Sequence, residues 1–380
     1  MEFIYLDHAA TTPIHPKVSK VYKDVMDTVF GNPSSIHSFG RTSRKLIDDA
    51  RKTIAAAINA DPTEIIFTSG GTEADNIAVF GTASNMKEKG NHIITTTIEH
   101  HAVLHACKEL EKNGFQVTYL PVDENGRITA RQVAEALTEK TILVTIMYGN
   151  NEVGTVQPIK EIGELLIGHQ AVFHSDAVQA FGIVDLDVNE LQVDLLSTSA
   201  HKLNGPKGVG FLYQRKGVQT TPLSYGGEQE RKRRAGTENV PAIASFAEAV
   251  TIAKAEMVGN GEKYVRFRQI LRSVFDAQNI SYEVNANDAD TLPHVVNISF
   301  PGTDIESLLV NMDMAGIAVS SGSACTAGSL EPSHVLSAMY GKDSTKLRNS
   351  VRFSFGLGLE EDNVKQAALT TAEIIDRLVK

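Results

Sequence analysis

The sequence predicts an α/β protein with a doubly wound, mainly parallel sheet covered by helices on both faces, followed by a smaller α+β region. Two observations carry this. Short apolar runs alternate with helical patterns over the first two thirds of the chain, which is the pattern that parallel strands joined by crossover helices leave in a sequence. After about Pro241 the alternation gives way to one long helical stretch and a few isolated strands.

Taken in order, IIFTS (Ile65–Ser69) reads as a strand and Glu73–Lys89 as the helix after it. HIITTT (His92–Thr97) is followed in the same way by a helix over His100–Lys112. FQVTYL (Phe115–Leu120), TILVTIM (Thr141–Met147), AVFHS (Ala171–Ser175), VDLLST (Val193–Thr198) and VGFLY (Val209–Tyr213) bring the strands to seven. A helical pattern then runs from about Ala242 to Asn279, with breaks expected at Gly259 and Gly261, and forms the hinge to the second region. HVVNISF (His294–Phe300) and VRFSF (Val351–Phe355) read as strands. Asp304 is placed to cap a helix carrying Ile305, Leu308, Leu309 and Met312 at i, i+3, i+4, i+7. The last helix shows Val364, Ala367, Ala368, Thr371, Ile374, Ile375 and Leu378 on one face.

Composition narrows the function. The chain has 380 residues with 36 Lys+Arg against 46 Asp+Glu, a formal charge of −10. That balance gives no global grip on nucleic acid or anionic membrane. The two cysteines, Cys107 and Cys325, make neither a disulfide framework nor a zinc cluster and fit a reducing compartment. MEFIYLDHAATTP lacks the basic and apolar regions of a secretory signal. No window reaches the roughly 18 apolar residues that span a bilayer. A cytoplasmic protein is expected.

Several motifs can carry chemistry. TSGGTEADN (Thr68–Asn76) joins a strand to a helix through two glycines, a geometry that binds phosphate or simply turns the chain. Asp176 in SDAVQ stands past the carboxyl end of a strand, where open α/β sheets bind ligands, or caps the next helix. His201 and Lys202 in TSAHKLNGPKGVG follow a buried strand directly. A lysine desolvated there has a lowered pKa and can form a Schiff base; otherwise it snorkels to solvent. His101 and His105 share a helix face, but no third ligand completes a metal site, and His100 sits at the strand–helix junction. Cys107 lies inside the amphipathic helix and reads as packing. SSGSACTAGSLEP (Ser320–Pro332) is built of small residues and places Cys325 on an exposed loop, which makes it the candidate nucleophile, although no basic neighbour lowers its pKa. The basic run Arg231–Arg234 is a solvated loop, an anion site or an RNA contact. Arg352, on a mostly apolar strand, needs a partner, and a substrate carboxylate would serve.

Together the segments YLDHAATTP, GNPSSIHSFGR, FTSGGTEADN, EHHAV, NNEVGTVQP, SDAVQ, SAHKLNGPKGVG, RRAGTEN, SSGSACTAGSLEPSHVL and VRFSFG, in order from residue 5 to 356, resemble the NifS/IscS-type cysteine desulfurases. These are class V, fold-type-I enzymes that use pyridoxal 5'-phosphate (PLP). The resemblance implies a large PLP-binding domain over residues 15–255, with a seven-stranded sheet, and a small domain from residues 1–14 and 256–380 carrying the Cys325 loop. Lys202 would hold PLP as a Schiff base, Asp176 would pair with its pyridine nitrogen, and Gln179 would hydrogen-bond its phenolic oxygen. His100 would stack on the ring and move protons. Gly71, Thr72, Ser199 and His201 would hold the phosphate, and Thr237 would reach the phosphate of a neighbouring subunit in a homodimer. Asn151 and Arg352 would hold the carboxylate of L-cysteine, with Lys202 or His100 as base. Cys325 would take the sulfur as a persulfide and pass it to an acceptor protein, an iron–sulfur scaffold or a tRNA thiolase.

The resemblance has departures. Leu357 stands where an Arg is common in the family, and the C-terminal tail with which housekeeping members contact an iron–sulfur scaffold is not expected after Lys380. A selenocysteine lyase or another class V aminotransferase-like enzyme is the alternative activity. A non-catalytic sulfur-carrier or RNA-binding scaffold rests only on Arg231–Arg234.

Overall fold

The computed structural model of the protein describes residues 3–287, 290–321 and 332–379. Its strands are β1 (Ile4–Tyr5), β2 (Ile65–Thr68), β3 (His92–Thr96), β4 (Gln116–Leu120), β5 (Thr141–Thr145), β6 (Val172–Asp176), β7 (Leu195–Ser199), β8 (Gly210–Gln214), β9 (Glu283–Asn285), β10 (Val295–Ser299), β11 (Ile317–Ala318) and β12 (Ser350–Ser354). All seven strands expected in the large region form, in one sheet ordered β2-β8-β7-β6-β5-β3-β4. The ladder from β4 to β7 is parallel, and β8 runs antiparallel to both its neighbours.

The strands form because β-branched and aromatic residues fill positions buried on both faces. Their side chains alternate between two cores: Ile65 and Phe67 of β2 face one, Ile66 the other. One face is covered by the helices Gly71–Met86 and His101–Lys112, which contribute Ala74, Ile77, Val103 and Cys107. The other is covered by Pro16–Thr28, Ser38–Ala57, Ile159–Leu166 and the start of a long helix, Val240–Ala277.

That long helix corrects one expectation. Gly259 and Gly261 do not break it, and its 38 residues are continuous. A mid-helix glycine costs only about 1 kcal/mol relative to alanine. Here both flanks are anchored: Val240, Ile243, Phe246 and Val250 pack in the core of the large sheet, and Tyr264, Phe267, Leu271 and Phe275 in a second core. The second core joins the antiparallel sheet β12-β10-β9 to the helices Ile305–Met314 and Glu361–Val379. Asp304 caps the first of these by accepting the N–H of Ser307 at 3.1 Å.

The N-terminal segment links the two cores. β1 pairs in parallel with β11, and Ile4 and Leu6 pack in the second core. A few residues on, Thr12 donates its hydroxyl to the His201 carbonyl beside the large sheet. Among the described residues no helix is long and apolar enough to cross a membrane.

Candidate active site

The carboxyl ends of β2, β6 and β7 open onto a cavity of about 200 Å³. Its walls bring together Gly71, Thr72, His100, Asn151, Asp176, Gln179, Ser199, His201 and Lys202, residues drawn from five segments. Two glycines make the approach possible. Gly70 has φ +151°, which favours glycine, and a Cβ on Gly71 would lie 2.6 Å from the Val178 side chain. The helix Gly71–Met86 therefore starts at the cavity wall, with the unpaired N–H groups of its first turn beside Thr72, Ser199 and His201.

Asp176 is the last residue of β6. One carboxylate oxygen accepts the Val178 N–H at 2.9 Å. Burial raises its pKa to about 6, against the pull of Lys202. Asp75, one helical turn into Gly71–Met86, also lines the cavity. Burial and then the neighbouring Asp176 hold its pKa well above the ordinary carboxyl range. Lys202 Nζ donates to the carbonyls of Ala9 at 2.5 Å and Ala10 at 2.8 Å. Gln179 also donates to the Ala9 carbonyl, at 2.9 Å.

His100 caps its helix: Nδ1 accepts the Ala102 N–H at 3.2 Å. Burial, then the charge of Lys202, lowers its pKa to about 4. The ring is thus neutral at pH 7, and its proton is on Nε2. Asp75, His100 and Asp176 each place a potential ligand atom within 4.8 Å of the others. With Nδ1 engaged and Nε2 protonated, however, His100 has no lone pair for a cation. The three form a set suited to handling protons.

Other expected residues fall differently. Arg352 does not line the cavity. It is buried, donating to the Asn151 carbonyl at 2.9 Å and pairing with Asp7 at 2.8 Å, so the partner its position demanded is Asp7. Thr237 is exposed and outside the cavity. Cys325 lies outside the described residues. Cys107 is fully buried, and burial pushes its thiol up to about 12, as packing requires. His101 and His105 stack on each other at 5.0 Å, with His334 at 4.8 Å from His101. The basic run is tied down within the chain: Lys232 pairs with Glu228 at 3.0 Å, Arg234 with Glu73 at 2.7 Å, and Arg233 donates to the Thr63 carbonyl at 2.9 Å.

Sequence reasoning missed Asp75, the Ala9 and Ala10 carbonyls, Asp7 and His294. Asp75 was within reach, since it stands one turn inside a helix that begins at the phosphate-type loop, on the side facing the sheet. A main-chain carbonyl carries no sequence signal.

This architecture and cavity define an enzyme of the class V aminotransferase type. Aminotransferase class-V is the family that matches residues 4–367, and the chain belongs to it. It is 60% identical over 378 residues to IscS 1 of Bacillus subtilis (strain 168), covering 100% of both chains. The cysteine desulfurase IscS of Dictyoglomus turgidum is 45% identical over 377 residues, covering 99% of this chain and 94% of that one. Among solved structures, a NifS-like protein superposes with a TM-score of 0.92 at 34% identity, covering 99% of this chain and 100% of that chain. SspA, solved in complex with cysteine, gives 0.82 at 37% identity, covering 92% and 98%.

Proposed function

We propose that this chain is a PLP-dependent cysteine desulfurase that converts L-cysteine to L-alanine and captures the sulfur as a persulfide on Cys325. The observation that carries the reading is the convergence of Lys202, Asp176, His100 and Gln179 on one cavity at the sheet's carboxyl edge. The walls fit the cofactor. The helix start at Gly71, where any Cβ would clash, suits a phosphate, and buried Asp176 suits a protonated ring nitrogen. Lys202 Nζ and the Gln179 amide stand at the cavity wall to meet the aldehyde carbon and the phenolic oxygen. When bound, the cofactor supplies an electron sink that acidifies the substrate Cα–H.

The chain's residues then have distinct tasks. Asn151 and Arg352 orient the substrate carboxylate, Asn151 from the cavity wall and Arg352 from behind it, through the Asn151 carbonyl that it binds and the positive charge that Asp7 holds in place. Lys202 Nζ takes the Cα proton and returns a proton to the alanine product, and neutral His100 offers the proton on Nε2. The Cys325 thiolate forms an S–S bond to the substrate sulfur as the C–S bond breaks. L-Cysteine and a thiol thus become alanine and a persulfide with atoms in balance. The exposed Thr237 faces a second copy of the chain in a homodimer, and a separate acceptor protein in the cytoplasm takes the sulfur for iron–sulfur assembly or tRNA thiolation. Two folding units, 15–255 and 1–14 with 256–380, share the site.

The test is the purified protein with PLP and L-cysteine, followed for alanine and for protein-bound persulfide. Cys325→Ala retains the visible cofactor band and makes no persulfide. If wild-type protein yields alanine without sulfur on Cys325, the reading fails.

A further inference from the structure

We propose that His294 is a positioning residue that fixes the orientation of the Gln179 amide and so decides which atom Gln179 offers to the cofactor. The inference rests on the PLP reading of the cavity. His294 is buried just before β10, and its carbonyl accepts the Phe355 N–H at 2.9 Å, so it belongs to the second core. Its Nε2 lies 3.3 Å from Gln179 Oε1, on the loop after β6. The contact therefore crosses from one core to the other.

An amide oxygen only accepts, so the ring proton must sit on Nε2. Burial lowers the pKa of His294 to about 3, with the cations around it acting in the same sense, so the ring keeps this single proton at neutral pH. Nδ1 is left as a bare acceptor with no partner among the described residues. On the other side of the amide, the Ala9 carbonyl also only accepts, and Gln179 Nε2 donates to it at 2.9 Å. The two contacts demand the same orientation: oxygen to His294, nitrogen to Ala9. The second N–H of the amide is then available to an oxyanion in the cavity. Without the His294 proton, Gln179 Oε1 would be buried with no donor. That costs enough to turn the amide or draw it away from the cavity. The Ala9 carbonyl also receives Lys202 Nζ, so a displaced amide disturbs the lysine as well.

His294→Phe keeps a planar ring and removes the donor. An N–H given to the phenolic oxygen stabilises its negative charge and disfavours a proton shared there. Loss of that N–H should therefore raise the midpoint of the pH titration of the visible cofactor band by about one unit, the scale of one hydrogen bond. His294→Gln, which can still donate, should restore the midpoint. In a Gln179→Leu background, His294→Phe should add no further shift, because the histidine acts only through the amide. An unchanged midpoint in His294→Phe, or a shift that adds to that of Gln179→Leu, overturns the proposal. A wild-type protein that develops no visible band with PLP overturns the cofactor reading itself. Should His294→Phe not fold, holoenzyme labelled with ¹⁵N-histidine serves: the ring signal that His294→Gln removes must in wild type be neutral and protonated on Nε2 down to about pH 4. The absence of such a ring overturns the assignment.

Discussion

Behind the cavity the large sheet is polar inside, whereas the second core is aromatic. Asp75, Glu99, His174, Asp176 and Ser197 are all buried near the carboxyl ends of the central strands. His174 bridges Thr145 and Ser197 at 2.8 and 2.9 Å, and Glu99 accepts the Met147 N–H at 2.9 Å. In the second core Phe267, Phe275, Phe300, Phe353 and Phe355 pack edge to face at 5.4–6.5 Å. Burying carboxyl groups together raises their pKa values and works against folding, while packed rings work for it. The polar surroundings of the cavity are thus the less favourable to bury, and the aromatic core behind Arg352 and His294 helps to hold the whole together.

Lys202→Ala strikes the polar side hardest. Turnover of L-cysteine should fall by at least about 10³-fold, with loss of the visible band, as measured by alanine release and absorbance. Phe275→Ala strikes the aromatic side. Phe275 is fully buried and meets Phe300 at 5.4 Å, so the change should cost about 3–5 kcal/mol in denaturant unfolding while the KM of the folded enzyme is kept. If Phe275→Ala instead altered KM, the two regions would not be separable in this way.

Glu99→Gln sharpens the contrast through pH. Burial lifts Glu99 to about 8 from an ordinary value of 4.5. The folded form therefore holds its proton more tightly than the unfolded one. Its contribution to stability is intact below pH 4.5 and is lost as pH rises toward 8. Relative to the glutamine variant, wild type should lose up to about 1.4 kcal/mol per pH unit across that window, read from melts at several pH values. A pH-independent difference would mean that Glu99 is not protonated by burial. Arg352→Lys keeps the charge and loses the fork that reaches both Asn151 and Asp7. It should raise the KM for L-cysteine about tenfold, with kcat less affected. The smallest effect belongs to Cys107→Ala: about 1–2 kcal/mol of stability and unchanged turnover. In wild type that thiol should resist alkylation in the folded state.

What the sequence made legible follows from this division. The seven strands were readable because residues such as Ile65–Thr68 and Thr141–Thr145 are buried throughout and bounded by turns. Lys202, Asp176 and Gly71 were readable because strand ends in such sheets are where ligands bind. The pairings behind them were not. Asp7 and Arg352 are 345 positions apart, and His294 and Gln179 are 115 apart, and no local pattern reports a contact at that distance. The continuity of Val240–Ala277 through Gly259 and Gly261 was equally hidden, since it depends on anchors at both ends that exist only once the cores have formed.

The same helix sets a phase relation between the cores. It is a rod of 38 residues whose first turns belong to one core and whose last turns belong to the other. Each added residue would advance the second core by about 1.5 Å and turn it by roughly 100°. The contact therefore fixes the length of the exposed middle: a single insertion would swing His294 off Gln179, and a full added turn would restore the angle but leave the two about 5.4 Å further apart along the axis. The spacing between the histidine and the amide is in that sense geared to the length of one helix.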